Sequence, residues 1–161
     1  MAAHSNAEEE DRASSPRREQ AERRHDVWVN MSKAGQVGDI GFCGLLCSVC
    51  SHTREGCSGC RSGGGDEHCR QRECCRDNER AGCWECESFP CGAGYFADGP
   101  WHGLCTAFVT VIREVGPEAF VALVRGRLGE AVDYGGYRFR DAEELRRELT
   151  EGPEVSGQAR A

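Results

Sequence analysis

No run in this 161-residue chain approaches 18 consecutive apolar residues, so no membrane span is expected. An excess of positive charge is missing too: 20 Lys and Arg stand against 27 Asp and Glu, a formal net charge of −7. That balance argues against a general nucleic-acid binder, which needs a basic face for phosphates. The opening stretch MAAHSNAEEEDRASSPRREQAERRHD lacks the apolar segment of a secretory signal. The expected compartment is therefore the cytoplasm, where thiols stay reduced.

The most informative absence lies in the middle of the chain. From Ser51 to Gly82 the only apolar side chain besides cysteine is Ala81. Ordering such a segment costs conformational entropy, and it holds no aliphatic or aromatic group whose burial would offset that cost. Some form of cross-linking has to hold it.

Twelve cysteines are what the chain has instead. The stretch CSGCRSGGGDEHCRQRECC, Cys57 to Cys75, carries five of them in 19 residues. An even count in a short chain also suits a disulfide framework, but disulfides need an oxidising compartment and nothing here directs export. Metal ligation is the preferred reading. The sequon at Asn30 is by the same logic a chance match.

The spacings look like metal knuckles. CGLLCSVC sets Cys43, Cys47 and Cys50 as C-x3-C-x2-C, while CSGC and CWEC pair Cys57 with Cys60 and Cys83 with Cys86. A C-x2-C turn lets two thiolates converge on one ion while backbone N–H groups point at the sulfurs. Gly44 and Gly59 suit the tight turns such loops require.

Taken together, CGLLCSVC, CSGCRS, CRQREC and CRDNERAGCWECESFPC resemble an uncharacterised family of small bacterial and archaeal cysteine-rich proteins. Its pattern reads C-G-L-x-C-x-x-C, C-x-G-C, C-x-I-R-x-C and C-x-E-C-x-E-F-P-C. The likeness covers about a third of the chain, Phe42 to Phe96. It carries over ten cysteines as expected metal ligands: Cys43, Cys47, Cys50, Cys57, Cys60, Cys69, Cys74, Cys83, Cys86 and Cys91. Gln71 stands where that family tends to have an aliphatic residue, and Cys75 and Cys105 are extra to the pattern. The family's function is unknown, so the resemblance implies metal and no substrate.

Zinc is the expected metal, with [4Fe-4S] clusters the alternative, because both take thiolates in fours. Ten cysteines do not divide evenly into fours. Twelve would make three sites if Cys75 and Cys105 joined, and His52 or His68 could complete a set, though their spacing reads better as that of exposed bystanders. C-x3-C-x2-C is also the cluster motif of radical S-adenosylmethionine enzymes, but only about 110 residues follow Cys50, too few for a barrel-scale α/β fold of about 200. Nucleophilic catalysis would need one activated thiol, and Cys75, among Arg70, Arg72 and Arg76, is the one to watch. The simpler role for those arginines is to offset the charge of thiolate centres, four thiolates outweighing one divalent ion.

Beyond the module the chain reads conventionally. In LCTAFVTVIREVG, Leu104, Phe108, Val111, Ile112 and Val115 share one helical face, with Cys105 beside it as a small buried hydrophobe. Gly116 suits the stop and Pro117 the first turn of a second helix, whose stripe is Phe120, Val121, Val124 and Leu128. VDYGGYRF predicts a β-hairpin turning at Gly135-Gly136. Asp141 caps a third helix, with Glu144 as the capping acid and Leu145 and Leu149 facing inward. Trp84, Phe89, Tyr95, Phe96 and Trp101 bracket the join and suit aromatic packing there.

The expected fold is thus α+β. A metal-stapled, irregular module with short strands and turns spans 40–93, and a lobe of two to three helices and a hairpin spans 95–150. Residues 1–30 read as a disordered tail, with Met31 as an alternative translation start, and 152–161 as a loose end. The expected function is that of a multi-site zinc-thiolate structural or interaction domain with an unknown protein partner. The alternative is an iron–sulfur protein of electron transfer or cluster handling.

Overall fold

The computed structural model describes residues 37–152. The expected tail, Met31 and almost all of the loose C-terminal end lie outside the described residues. Within them the fold is helical. Five α-helices lie wholly within the described residues: α1 (Ser51–Arg54), α2 (Arg70–Asp77), α3 (His102–Val115), α4 (Pro117–Leu128) and α5 (Ala142–Glu151). Single 3-10 turns occupy Cys47–Val49, Cys60–Ser62, Cys83–Glu85, Gly94–Phe96 and Tyr134–Tyr137. No helix among them is long and apolar enough to cross a membrane.

The α+β expectation is overturned. Among the described residues there is no sheet, only two isolated bridges, Ile40 with Leu46 and Cys50 with Val132. The short strands expected in the module are absent with it. VDYGGYRF is not a hairpin but a 3-10 turn, and two contacts explain why. Asp133 accepts a hydrogen bond from the Gly135 N–H at 2.9 Å, which closes the chain locally. Tyr134 is buried, its hydroxyl donating to the Leu46 carbonyl at 3.0 Å and accepting from the Leu46 N–H at 3.2 Å. A tyrosine held from 88 residues away leaves no ladder for a partner strand.

The helical lobe forms as its periodicity predicts. Leu104, Phe108, Val111 and Ile112 of α3 are buried, as are Phe120, Val121 and Val124 of α4 and Leu145 and Leu149 of α5. Val115 departs from the expected stripe and is 41% exposed in the last turn of α3. Gly116 ends α3 and Pro117 opens α4. Asp141 caps α5 by accepting from the Glu144 N–H at 3.0 Å. The Glu144 carboxylate does not return the bond and pairs with Arg140 at 2.7 Å.

The cysteine-rich segment shares this core. Ile40, Leu46 and Val49 are fully buried among the helix side chains, with Val132 and Tyr134. The CGLLC loop reaches α3 through Gly44, whose φ of +93° L side chains rarely adopt. A Cβ there would come within 3.1 Å of Val109 Cγ2 and 3.2 Å of Phe108 Cβ. Glycine therefore lets the loop press directly on the helix.

Candidate functional site

All twelve cysteines are unpaired, and two cavities divide eleven of them. The larger, about 550 Å³, is lined by Cys43, Cys47, Cys50, Cys57, Cys60 and Cys69. The smaller, about 450 Å³, is lined by Cys74, Cys75, Cys83, Cys86 and Cys91. Cys105 lines neither; fully buried on α3, it packs beside Cys43 as a small hydrophobe.

Local turns set out the first group. The Cys50 N–H bonds the Cys47 carbonyl at 3.1 Å, closing the 3-10 turn between two thiols. The Cys60 N–H donates to Cys47 Sγ at 3.3 Å, a contact between two thiol turns and not within one. Gly59, at a φ of +88°, makes the bend that presents Cys60. Cys69 sits at the N-cap of α2 and faces the same cavity.

The helix then separates the groups. Cys74 and Cys75 lie further along α2 and line the second cavity. Cys83 and Cys86 flank another 3-10 turn, closed by the Cys86 N–H on the Cys83 carbonyl at 3.1 Å. Cys75 Sγ lies 3.7 Å from Cys83 Sγ, both buried. The Arg80 guanidinium donates to Cys86 Sγ at 3.4 Å. The cavity walls touch where the Cys83 N–H bonds the Phe42 carbonyl at 2.9 Å.

Thiol pairing lowers one partner and raises the other, while burial raises both. The hydrogen bond from Cys60 lowers the Cys47 thiol to about 7, and the same bond, with burial, pushes Cys60 far above the ordinary thiol range. In the second cavity Cys83 lowers Cys75 by its hydrogen bond and is itself raised. Cys43 is raised by its hydrogen bond with Cys105 and by burial. Burial raises Cys50 and Cys69, the latter against the pull of the Arg72 charge.

The remaining expected participants fall into place around these groups. His52 lines the first cavity, but its Nδ1 lies 3.2 Å from Glu55 Oε2. His68 is exposed and lines neither cavity. Cys75, the thiol to watch for reactivity, is 2% exposed and faces Cys83, poor access for an outside substrate. Gln71 is buried with its amide satisfied: Nε2 donates to the Ala93 carbonyl at 2.7 Å, and Oε1 accepts from the Tyr95 N–H at 3.2 Å. The aromatics of the join divide as the cysteines do, Tyr95 and Trp101 to the first cavity, Phe89 and Phe96 to the second.

Sequence spacing missed this partition. The signal available was helical: Cys69 and Cys74 are five residues apart across the start of α2, and five steps of about 100° turn the second side chain away from the first. Also missed were Tyr134 and Arg138 on the wall of the first cavity. Among the described residues, no three His, Cys, Asp or Glu side chains converge closely enough to hold one ion. The chain matches none of the protein-family models, curated proteins or solved structures with which it was compared.

Proposed function

We propose that this is a cytoplasmic metal-binding protein with two thiolate centres, zinc-filled and structural, serving as an interaction domain for a protein partner. The observation that carries this reading is the gathering of eleven cysteines around two cavities, five of them from the stretch Ser51 to Gly82, whose only other apolar side chain is Ala81. Soft thiolates select zinc and iron–sulfur centres over hard cations. In number and chemistry the donor sets suffice: each cavity has more than the four thiols a closed zinc site takes. Zn–S bonds of about 2.3 Å in a tetrahedron set sulfurs about 3.8 Å apart, and Cys75 and Cys83 already stand at 3.7 Å. The resemblance to the cysteine-rich bacterial and archaeal family supports the same ligands. Bound in this way, zinc would supply cross-links and no chemistry. The chain's own contribution is the set of knuckle turns, with N–H groups aimed at sulfur and arginines near the thiolates.

A second reading is favoured by one observation in the first cavity. Six thiols surround about 550 Å³ without three of them meeting at a point, a spread that suits a polynuclear iron–sulfur cluster better than a single ion. Such a cluster would supply electron transfer. Anaerobic purification followed by visible absorption and elemental analysis separates the readings. Colourless protein with about two zinc ions per chain is the expected result, with Cys57→Ser and Cys86→Ser each losing a different share. A brown protein with broad visible absorption and iron rejects the zinc reading. A chain free of both metals that stays compact in chelator and reductant rejects metal altogether.

A further inference from the structure

Arginine is among the costliest side chains to bury, and a guanidinium taken out of water calls for an anion or a full set of acceptors. Arg72 is 6% exposed and lines the first cavity from α2. Its Nη1 donates to the carbonyls of Cys60 and Gly64, both at 3.1 Å. Its Nη2 donates to the carbonyls of Asp66 at 2.6 Å and Glu67 at 3.2 Å. Four neutral acceptors satisfy the fork and leave the charge itself unbalanced. Among the described residues no carboxylate pairs with it.

The neighbouring arginines are placed differently. Arg70 and Arg76 are exposed, where water screens them. Arg61 lies over the Phe42 ring at 4.3 Å and donates to the carbonyls of Ile40 and Ala81. Among the described residues only Arg72 is both buried and fixed at the edge of the six-thiol cavity. Neutral thiols alone would offer its charge no counterpart. Four thiolates on a divalent ion carry two net negative charges, and the charge then has its counterpart.

We infer that Arg72 is the built-in counter-charge of the first centre, its guanidinium locked by the carbonyls of the 60–67 loop beside the thiolates it neutralises. This rests on the metal reading above and adds the residue that makes one of the two centres electrically tolerable when buried. It is a positioning residue and does not ligate. It also makes the centres unequal, because among the described residues no buried arginine lines the second cavity, where the exposed Arg70 and the half-buried Arg80 stand.

The test compares Arg72→Gln, which removes the charge, with Arg72→Lys, which keeps the charge and loses the fork. Full-length zinc-loaded chains are titrated with a chromogenic zinc chelator, and Cys86→Ser identifies the pool of the second centre. The expected result for Arg72→Gln is a loss of about 10–100-fold in affinity at the first centre only, the usual scale for groups that support metal ligands. Arg72→Lys should stay within a few-fold of the unmodified chain. If iron is found, the same pair is read by midpoint potential, which falls in Arg72→Gln and holds in Arg72→Lys. A normal first pool in Arg72→Gln overturns the inference, and so does Arg72→Lys as weak as Arg72→Gln, since the fork alone would then explain the residue. If Arg72→Gln does not fold, Arg72→Lys decides: near-normal binding supports the role, and a tenfold loss ends it. An unmodified chain without metal overturns the metal reading and this inference together, an outcome read before any variant is made.

Discussion

Between Leu104 and Leu149, every third or fourth residue of three helices is a buried aliphatic or aromatic group. Between Ser51 and Gly82 the buried side chains are Cys69, Gln71, Arg72 and Cys75. One region is held by surface removed from water, which is non-directional and tolerant of small shifts. The other is held by hydrogen bonds and thiols, which are directional and fail when a partner is missing. The two share a core through Ile40, Leu46 and Val49, yet they should respond to different insults.

The largest expected difference is under chelator and reductant. Amides of residues 51–82 should lose protection from hydrogen exchange, while α3 and α5 keep theirs, read peptide by peptide by mass spectrometry. Uniform loss, or none, would erase the contrast. A smaller effect comes from the other side: Phe108→Ala removes a fully buried ring that packs edge-to-face on Phe120 at 5.3 Å and on Tyr134 at 5.8 Å. It should cost about 3–5 kcal/mol in denaturant unfolding, with metal per folded chain unchanged. The smallest concerns the seam. Tyr134→Phe leaves the Leu46 N–H and carbonyl without their buried partner, and should cost about 1–3 kcal/mol in the same measurement. An unchanged unfolding midpoint would mean that the two regions lean on each other without that contact.

Sequence made the apolar region plain because helical burial repeats every 3.6 residues. Phe108, Val124 and Leu149 announce their faces, and Gly116-Pro117 and Asp141 mark the ends. It failed at VDYGGYRF, where Tyr134 is claimed by Leu46 and Asp133 closes the turn on itself. Neither contact leaves a periodic trace. The thiols were legible as turns and not as groups: C-x2-C reports local geometry, whereas membership of a cavity depends on where α2 points. Arg72 was hidden for a similar reason. In RQRECCRDNER it is one arginine among four, and only the path of the 60–67 loop makes it the buried one.

Helix α2 is eight residues long, with Cys69 at its cap and Cys74 and Cys75 further along. It works as a ruler. The rise of about 8–9 Å from Cys69 to the far pair spaces the thiol sets, and each residue added or removed would swing that pair by about 100°. The glycine-rich approach at 63–65 is gauged in a different way, by the Gly64 carbonyl it holds out to Arg72 at 3.1 Å. Length variation should therefore be forbidden between Cys69 and Cys75, a calibration imposed by geometry whatever atom the thiols hold.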